Sequence, residues 1–349
     1  MAQTPPAAAG FLSLKGSRIR CSLGGIDLGL DCEGGHSFVS HAHFDHAGAF
    51  SSSKKIISTD ATLQLMHARG IAGEEARRKH CTKLESDGLK IELLNAGHVL
   101  GSSMLHAQID GTSFLYTADF KTEDSLVTKK AEPAECDVLL MEATYGNPEY
   151  RFPPREQTYA QMKAWQSEQK ANGRITLFGG YALGKAQEII KALNEHCGTI
   201  PIVSNPVAKV CEVYNAHGAE LEYLRADTSE AQEMLSGAFT AVLPHHQVNS
   251  ALAHTLASQY KRKVATALAT GWNAGHARAF DCGACFTLSD HCDFNGLLKF
   301  AEGTGAKTIY TTHGYARELA HELRKMGKNA QALEDVAGKK GQQTLAALA

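Results

Sequence analysis

A six-residue segment crowded with metal-ligand side chains constrains this chain more than any other feature. Residues 41–46 read His-Ala-His-Phe-Asp-His. Imidazole and carboxylate groups suit Zn²⁺, and catalytic zinc sites take such ligands while keeping one position open for water. The β-prone run 37–40 comes directly before the segment, so we expect the ligands at the end of a strand. The segment therefore predicts a metal site and favours a hydrolase over a solvated histidine-rich loop.

One such loop cannot complete a site for two metal ions, so further ligands must come from elsewhere in the chain. Three candidates occur later in the sequence. His98, Asp119 and His313 each come at the end of a strand-like apolar run. Taken alone, each would be read as a turn residue or as a core residue with satisfied hydrogen bonds. Since all three follow the same histidine-rich segment, we expect the fold to bring them together at strand ends.

The order of these residues resembles the metallo-β-lactamase superfamily, and later segments resemble its β-CASP branch, whose members cut nucleic acid. Glu142 in LMEATYG, His291 in LSDHCD and His313 in THGY match the landmarks of that branch. The segments YGNPEYRFPP at 145–154 and YALGKAQ at 181–187 are most similar to the compact ligase-associated DNA exonucleases of prokaryotes. RNA 3′-end-processing nucleases of the cleavage and polyadenylation factor type, and ribonuclease J, share these landmarks more loosely. The resemblance implies an α/β fold, a metallo-β-lactamase αββα sandwich with an inserted β-CASP parallel α/β domain.

The resemblance also implies a role for each candidate residue. The expected metal ligands form two sets around a bridging carboxylate: His41, His43 and His98 for one ion, Asp45, His46 and His313 for the other, and Asp119 between them. Asp31 would orient a ligand without binding metal. Glu142 and His291 would form a carboxylate–histidine pair beside the metals, and with Asp45 they are the expected catalytic residues.

Two divalent ions held in this way predict the chemistry of the site. They polarise a phosphoryl oxygen and lower the pKa of a shared water to about 7, so that a bridging hydroxide can attack phosphorus. His291 suits the protonation of the leaving sugar oxygen because imidazole titrates near neutrality. Glu142 would fix the tautomer of His291, or, on the alternative interpretation, would only cap the turn at 144–146. We expect two Zn²⁺ as cofactors, with Mn²⁺ as an alternative.

These expectations favour a nuclease that hydrolyses single-stranded nucleic acid, and specifically a DNA-repair exonuclease. An RNA-processing endo- or exoribonuclease of the 3′-end-processing type is the alternative, and a histidine at 313 keeps RNA open as a substrate. A small-molecule metallohydrolase is a remote alternative, because it needs no inserted module with its own histidine–carboxylate pair. The expected partners are RNA or DNA as substrate and proteins of repair or RNA processing.

A change in the pattern of predicted strands and helices along the chain predicts an inserted domain. Residues 1–146 are expected to form the first part of the metallo-β-lactamase domain, 147–283 the inserted β-CASP domain, and 284–349 the return segment. After the proline-rich start of the insertion, predicted strands and helices alternate as in a parallel α/β module. One predicted helix, 183–193, places Ala186, Ile189, Ile190 and Leu193 on a single face.

The segment GGYALGK at 179–185 fits the phosphate-loop pattern G-x-x-x-x-G-K. We expect no ATP binding, because Ala186 stands where the pattern needs Ser or Thr to hold Mg²⁺. Gly184 and Lys185, with Ser289, are instead expected to grip a backbone phosphate of the substrate at a helix start. The alternative is tight packing of the helix on the preceding strand.

Composition bears on the charge of the site and on the cellular compartment expected for the protein. A net charge of −2 is low for a nucleic-acid enzyme, but two Zn²⁺ would make the site locally positive. Nine scattered cysteines fit a reducing compartment. The start MAQTPP does not resemble a secretion signal, and no apolar run approaches the ~20 residues of a membrane span. We therefore expect a cytoplasmic protein without a membrane partner.

Overall fold

The structure, a computed structural model, describes residues 12–47, 53–86, 88–272 and 281–337. These residues form two compact units. The first unit comprises the described residues up to Glu123, Lys129–Pro148, and the described residues from His291 onwards. The second unit comprises Asp124–Thr128 and Glu149–Asp290. Along the sequence, the main segment of the second unit thus interrupts the first.

The strands of the described residues are numbered along the chain. They are β1 (Leu12–Lys15), β2 (Arg18–Leu23), β3 (Ile26–Leu30), β4 (His36–Phe38), β5 (Ile56–Ile57), β6 (His80–Cys81), β7 (Leu84–Ser86), β8 (Leu89–Asn95), β9 (Ser103–Ile109), β10 (Thr112–Tyr116), β11 (Val138–Glu142), β12 (Ile175–Gly180), β13 (Ile202–Val203), β14 (Leu224–Arg225), β15 (Thr240–Pro244), β16 (Val264–Ala269), β17 (Ala284–Phe286), β18 (Thr308–Thr312) and β19 (Ala330–Ala332).

The α-helices of the same residues are numbered in the same way. They are α1 (Phe44–Ala47), α2 (Asp60–Ala68), α3 (Glu74–Lys79), α4 (Arg155–Ala171), α5 (Lys185–Cys197), α6 (Asn205–Ala216), α7 (Ser229–Met234), α8 (Ser250–Tyr260), α9 (Phe294–Gly303), α10 (Ala316–Lys325) and α11 (Leu333–Ala337). None of the helices in the described ranges is long and apolar enough to span a bilayer.

The first unit is built on two sheets. One has the strand order β1-β2-β3-β4-β5-β6, and the other has the order β19-β18-β11-β10-β9-β8-β7. A single apolar core contains residues of both sheets, and within it the rings of Phe38 and Tyr116 meet edge to face with centroids 6.0 Å apart. Helices α9 and α10 contribute Leu297 and Leu319 to a second core. The predicted α/β sandwich is confirmed.

Strand β11 shows how the sequence specifies these layers. Its residues VLLME are all buried, as expected for a central parallel strand covered on both faces. Side chains alternate along a strand, so Val138 and Leu140 enter the core between the sheets. Leu139 and Met141 enter the core that contains α9 and α10. The strand ends at Glu142, the landmark carboxylate of the sequence.

The second unit is a parallel sheet with helices, as predicted. The strand order is β14-β13-β15-β12-β16-β17, and each neighbouring pair is parallel. Helix α5 buries Ala186, Ile189, Ile190 and Leu193 together, which confirms the predicted apolar face. Strand β17, expected in the return segment that begins at residue 284, pairs instead with β16 of this sheet.

Candidate metal centre

Strand ends of the first unit position the candidate ligands. Strands β10, β11 and β18 are parallel neighbours, and their register aligns Tyr116 with Leu140 and Glu142 with Thr312. Asp119, Glu142 and His313 therefore leave the sheet at the same edge. The histidine-rich segment follows β4, and its last three residues begin the short helix α1, which ends at Ala47. This topology brings the ends of separate strands to one edge, where the candidate ligands were expected.

Three imidazoles form the first candidate ligand group. The Nδ1 atom of His43 lies 2.9 Å from Nε2 of His41 and 3.2 Å from Nε2 of His98. Two ligand atoms of a tetrahedral zinc site are about 3.3 Å apart, given Zn–N bonds of about 2.0–2.1 Å. All three ligand atoms lie within 4.8 Å of one another. The group therefore fits one tetrahedral cation.

The Asp119 carboxylate is the common neighbour of four imidazoles. Its Oδ2 atom lies 3.3 Å from Nε2 of His46, 3.7 Å from Nε2 of His41 and 3.9 Å from Nε2 of His98. Nε2 of His291 is 4.0 Å from the same oxygen. Asp119 is thus the one described carboxylate shared by the candidate groups His41–His46–Asp119 and His98–Asp119–His291. This position suits a carboxylate that faces two cations.

Asp31 organises two of the imidazoles from behind. It accepts hydrogen bonds from the Ser40 amide (2.7 Å), the Ser40 hydroxyl (2.8 Å) and the Tyr116 hydroxyl (3.1 Å). Nδ1 of His46 lies 3.0 Å from Asp31 Oδ2, and Nδ1 of His41 lies 2.9 Å from the Ser40 hydroxyl. Protons on both Nδ1 atoms leave the Nε2 lone pairs facing Asp119 and free to ligate.

The electrostatics of the cluster favour a positive charge beside Asp119. Burial lowers the pKa of His46, but the carboxylates of Asp119 and Asp31 outweigh burial and raise this pKa to about 10. Burial, followed by the neighbouring imidazoles, holds the pKa of His41 well below its ordinary value. One imidazole is therefore kept cationic and another neutral. A bound divalent cation would supply the same positive charge, with both imidazoles neutral as ligands.

Glu142 and His291 form the expected pair. Nδ1 of His291 lies 2.8 Å from Glu142 Oε1, which also accepts a hydrogen bond of 3.0 Å from the Phe120 amide. The other oxygen of Glu142 accepts from the Thr144 amide at 3.2 Å. Glu142 thus caps the following turn and contacts His291, so the two interpretations of this residue are compatible. Burial raises the pKa of Glu142, but the charge and hydrogen bond of His291 outweigh burial and lower it.

Asp45 and His313 stand apart from the described ligand groups. The Asp45 carboxylate lies 3.7 Å from Nε2 of His46, but its side chain is 81% exposed. The His313 ring is exposed, and its centroid is 6.5 Å from that of His46. Among the described residues, neither belongs to a group whose ligand atoms converge within 4.8 Å. The second expected ligand set is therefore half assembled, from His46 and Asp119.

Unusual backbone conformations accompany the site. Of the six non-glycine residues with positive φ in the described chain, Asp31 (52°) and His313 (60°) are candidate site residues. Ala118 (49°) directly precedes Asp119. Left-handed conformations are unfavourable for residues with a Cβ atom and persist only where the surrounding structure imposes them. The fold thus imposes local strain to aim these side chains.

The residues expected to grip phosphate are engaged within the second unit. Lys185 is buried, and its ammonium group donates to the Leu288 carbonyl (3.1 Å) and to Asp290 (3.0 Å). The Gly184 amide donates to the side chain of Gln187 at 2.8 Å. These contacts favour the alternative interpretation, in which the segment packs its helix tightly on the sheet.

A buried arginine accompanies Lys185. Arg155 donates to Glu188 and to the Ser289 carbonyl, while the Thr158 hydroxyl donates to the Thr287 carbonyl at 3.0 Å. Helices α4 and α5 therefore hold three successive carbonyls, those of residues 287–289. Sequence reasoning missed this network, as it missed Ser40 and Tyr116.

Comparisons with known proteins find relatives along much of this chain. A protein of Opitutus terrae named "Probable DNA ligase" is 31% identical over 85% of this chain and 28% of its own length. An "RNase J-like protein" of Methanocaldococcus jannaschii is 28% identical over 53% of this chain and 49% of its own length. The chain thus spans less than half the length of these curated relatives.

A solved structure supports the fold alone. The crystal structure of a protein of unknown function from Enterococcus faecalis V583 is 14% identical, covers 85% of this chain and 79% of its own, and has a TM-score of 0.57. No family model matches the chain. Within the described part of this chain, His41, His43, His46, His98, Asp119 and His291 form groups of converging ligand atoms, whereas Asp45 and His313 do not join them. Together, the relatives of this chain indicate the β-CASP branch of the metallo-β-lactamase superfamily.

Proposed function

We propose that this chain is a zinc-dependent nuclease that hydrolyses phosphodiester bonds of single-stranded nucleic acid. The observation that carries the proposal is the His291–Glu142 pair, whose 2.8 Å contact holds one imidazole at the margin of the ligand cluster. A ligand cluster alone would serve many hydrolases. The additional His291–Glu142 pair at the margin of the cluster is suited to protonating a leaving group.

The ligand roles follow from the contacts of the first unit. His41, His43 and His98 would hold one ion, and His46 with Asp119 would begin the second site. Asp45 and His313 would complete that site by turning toward His46. Bound divalent ions would polarise the phosphoryl group and activate water. Asp31, through its contacts to His46 and Ser40, would keep both Nε2 lone pairs directed at the ions.

His291 would act as the general acid. Its Nδ1 faces Glu142, so the opposite nitrogen, Nε2, is the one available to carry a proton to the leaving sugar oxygen. Glu142 remains a carboxylate, because its pKa is lowered, and it therefore stabilises His291 in the protonated form. The His291 side chain is 21% exposed, which leaves it accessible to a substrate. Proton donation and ion binding thus fall to different residues.

We infer a DNA-repair exonuclease as the leading identity. Its support is the relative named "Probable DNA ligase", which matches over 85% of this chain. The alternative, an RNA-processing nuclease, is supported by the relative named "RNase J-like protein". On either reading, the first unit would be the catalytic metallo-β-lactamase domain and the second unit the inserted β-CASP domain.

The direct test is incubation of zinc-loaded protein with end-labelled single-stranded DNA and RNA, resolved on a sequencing gel. Shortening of DNA from one end supports the exonuclease, whereas internal cuts or a clear preference for RNA support the alternative. A chromogenic β-lactam and a thioester serve as small-molecule controls. Turnover of these controls without cleavage of either nucleic acid would overturn the proposal.

A further inference from the structure

Two aromatic side chains of the second unit lie side by side at the ends of neighbouring strands. Strands β12 and β15 are parallel, and their register pairs Gly180 with Pro244. The residues that follow Gly180 and Pro244, which are Tyr181 and His245, are therefore adjacent. Their ring centroids lie 4.6 Å apart with an interplanar angle of 55°. The register of the sheet thus creates an aromatic pair.

The pair is open to solvent. Tyr181 is 49% exposed, which is unusual for a large aromatic side chain, and His245 and His246 are also exposed. The ring of His246 meets that of His245 with centroids 5.7 Å apart. Exposed aromatic groups placed together mark binding surfaces more often than solitary ones.

The third adjacent strand carries another exposed ring. Strand β16 borders β12 on the side opposite β15, and Trp272 follows its end. Trp272 is 37% exposed and meets the buried ring of Tyr150 edge-on, with centroids 5.4 Å apart. Tyr181, His245 and Trp272 therefore follow the carboxyl ends of three consecutive parallel strands. Ligands of open parallel sheets bind at that edge.

The ends of these strands are closely packed beneath the rings. A Cβ atom at Gly179 would lie 2.4 Å from Leu268 of β16, and one at Gly180 would lie 3.0 Å from Ile189 of α5. The two glycines therefore allow β12 to pack closely against β16 and α5. This close packing leaves the end of β12 little space to move. Tyr181 is consequently presented from a fixed backbone, which reduces the conformational entropy lost when a ligand stacks on it.

Flat, exposed rings favour a ligand that presents flat faces of its own. Burial, followed by the charges of His246 and Lys185, lowers the pKa of His245, so its ring stacks as a neutral aromatic group. Unpaired nucleobases offer such faces, whereas the bases of a duplex are stacked on one another and inaccessible.

We propose that Tyr181, His245 and Trp272 form a stacking platform for unpaired bases of single-stranded nucleic acid. This inference rests on the proposed function and specifies its substrate class. Stacking uses the face that every base presents, so the platform accepts DNA and RNA alike. None of the three residues is a candidate metal ligand, so the contribution of the platform can be measured without metal.

The test is fluorescence anisotropy of metal-free protein, in the presence of a chelator, with labelled oligothymidylate and oligouridylate. Tyr181→Ala is expected to weaken binding of both by about 5- to 100-fold, the range for one lost base-stacking contact. Tyr181→Phe keeps the ring and is expected to bind within about twofold of the original protein. Ile200→Ala removes an exposed apolar side chain before β13 and serves as the matched control.

An abasic oligonucleotide separates stacking from phosphate binding. The original protein and Tyr181→Ala are expected to bind this sugar–phosphate chain equally. Unchanged affinity of Tyr181→Ala for oligothymidylate, or an equal loss on the abasic chain, would overturn the platform. The proposed function fails differently, through absence of cleavage by the zinc-loaded original protein, so the two failures are distinguishable.

Discussion

At the scale of single residues, the proposed roles separate groups that would bind cations from a group that would move a proton. Nε2 of His46 lies 3.3 Å from Asp119, whereas Nδ1 of His291 is directed to Glu142 at 2.8 Å. The partner of each ring nitrogen therefore determines what the opposite nitrogen can do. This division predicts that the two functions can be removed independently.

Removal of the His291 imidazole should slow the chemical step and spare the metals. We expect His291→Ala to lower kcat on a single-stranded oligonucleotide by about 10²- to 10⁴-fold, the contribution typical of general acid catalysis. Metal content per chain, measured by elemental analysis, should stay unchanged. His321→Ala, an exposed histidine of α10, provides the matched control. Turnover equal to that of the control would exclude His291 from proton transfer.

The sequence predicted which candidate residues come together, apart from Asp45 and His313. The metal-binding roles of all these residues stay predictions. His41, His43, His98 and Asp119 converge because ligand types placed at strand ends must meet at a sheet edge. The exposure of Asp45 and the separation of His313 depend on side-chain direction and on a left-handed backbone at residue 313. Neither property has a signature in the order of amino acids.

At the scale of elements, helices α4 and α5 hold the segment that follows β17. The carbonyls of residues 287–289 accept hydrogen bonds from Thr158, Lys185 and Arg155 in turn. Lys185 also pairs with Asp290, and both side chains are about 95% buried. A buried ion pair contributes little net stability, but removing one partner leaves an uncompensated charge.

A substitution at Lys185 distinguishes this structural role from phosphate binding. Lys185→Met should lower the free energy of unfolding by about 3–5 kcal/mol in urea denaturation, because Asp290 loses its buried partner. The double variant Lys185→Met with Asp290→Leu should recover part of that loss. Lys191→Met, on the same helix but paired at the surface with Glu195, should cost at most about 1 kcal/mol.

The contrary result is also specific. If Lys185 gripped a substrate phosphate, Lys185→Met would leave unfolding unchanged and would weaken nucleic-acid binding with a shallower salt dependence. The phosphate-loop pattern of the sequence predicted that behaviour. It could not reveal that the lysine turns into the protein, because the partner Asp290 is 105 residues away.

At the scale of the whole molecule, the sequence predicted the interruption of one α/β unit by another but not where the chain returns. The pairing of β17 with β16 is a long-range contact, and such pairing follows from packing rather than from local propensity. The alternation of helices and parallel strands, in contrast, is encoded locally in apolar periodicity. Periodicity therefore predicted the class of the second unit and left its last strand unassigned.

With a net charge of −2, the proposed metals would supply a large share of the attraction for nucleic acid. Four imidazoles of the first unit, those of His41, His46, His98 and His291, lie within 4.0 Å of the Asp119 carboxylate, and His43 contacts His41 and His98. The central claim is that this arrangement holds two divalent ions and that cleavage depends on both. Asp119 is the residue on which both ion sites rely.

The most direct test is a titration of zinc into chelator-treated protein while cleavage of an end-labelled single strand and bound zinc per chain are followed together. The account predicts that activity saturates as the second zinc binds, and that Asp119→Ala gains neither stoichiometric zinc nor activity. Full cleavage by the chelator-treated protein, or retention of both zinc ions by Asp119→Ala, would contradict it.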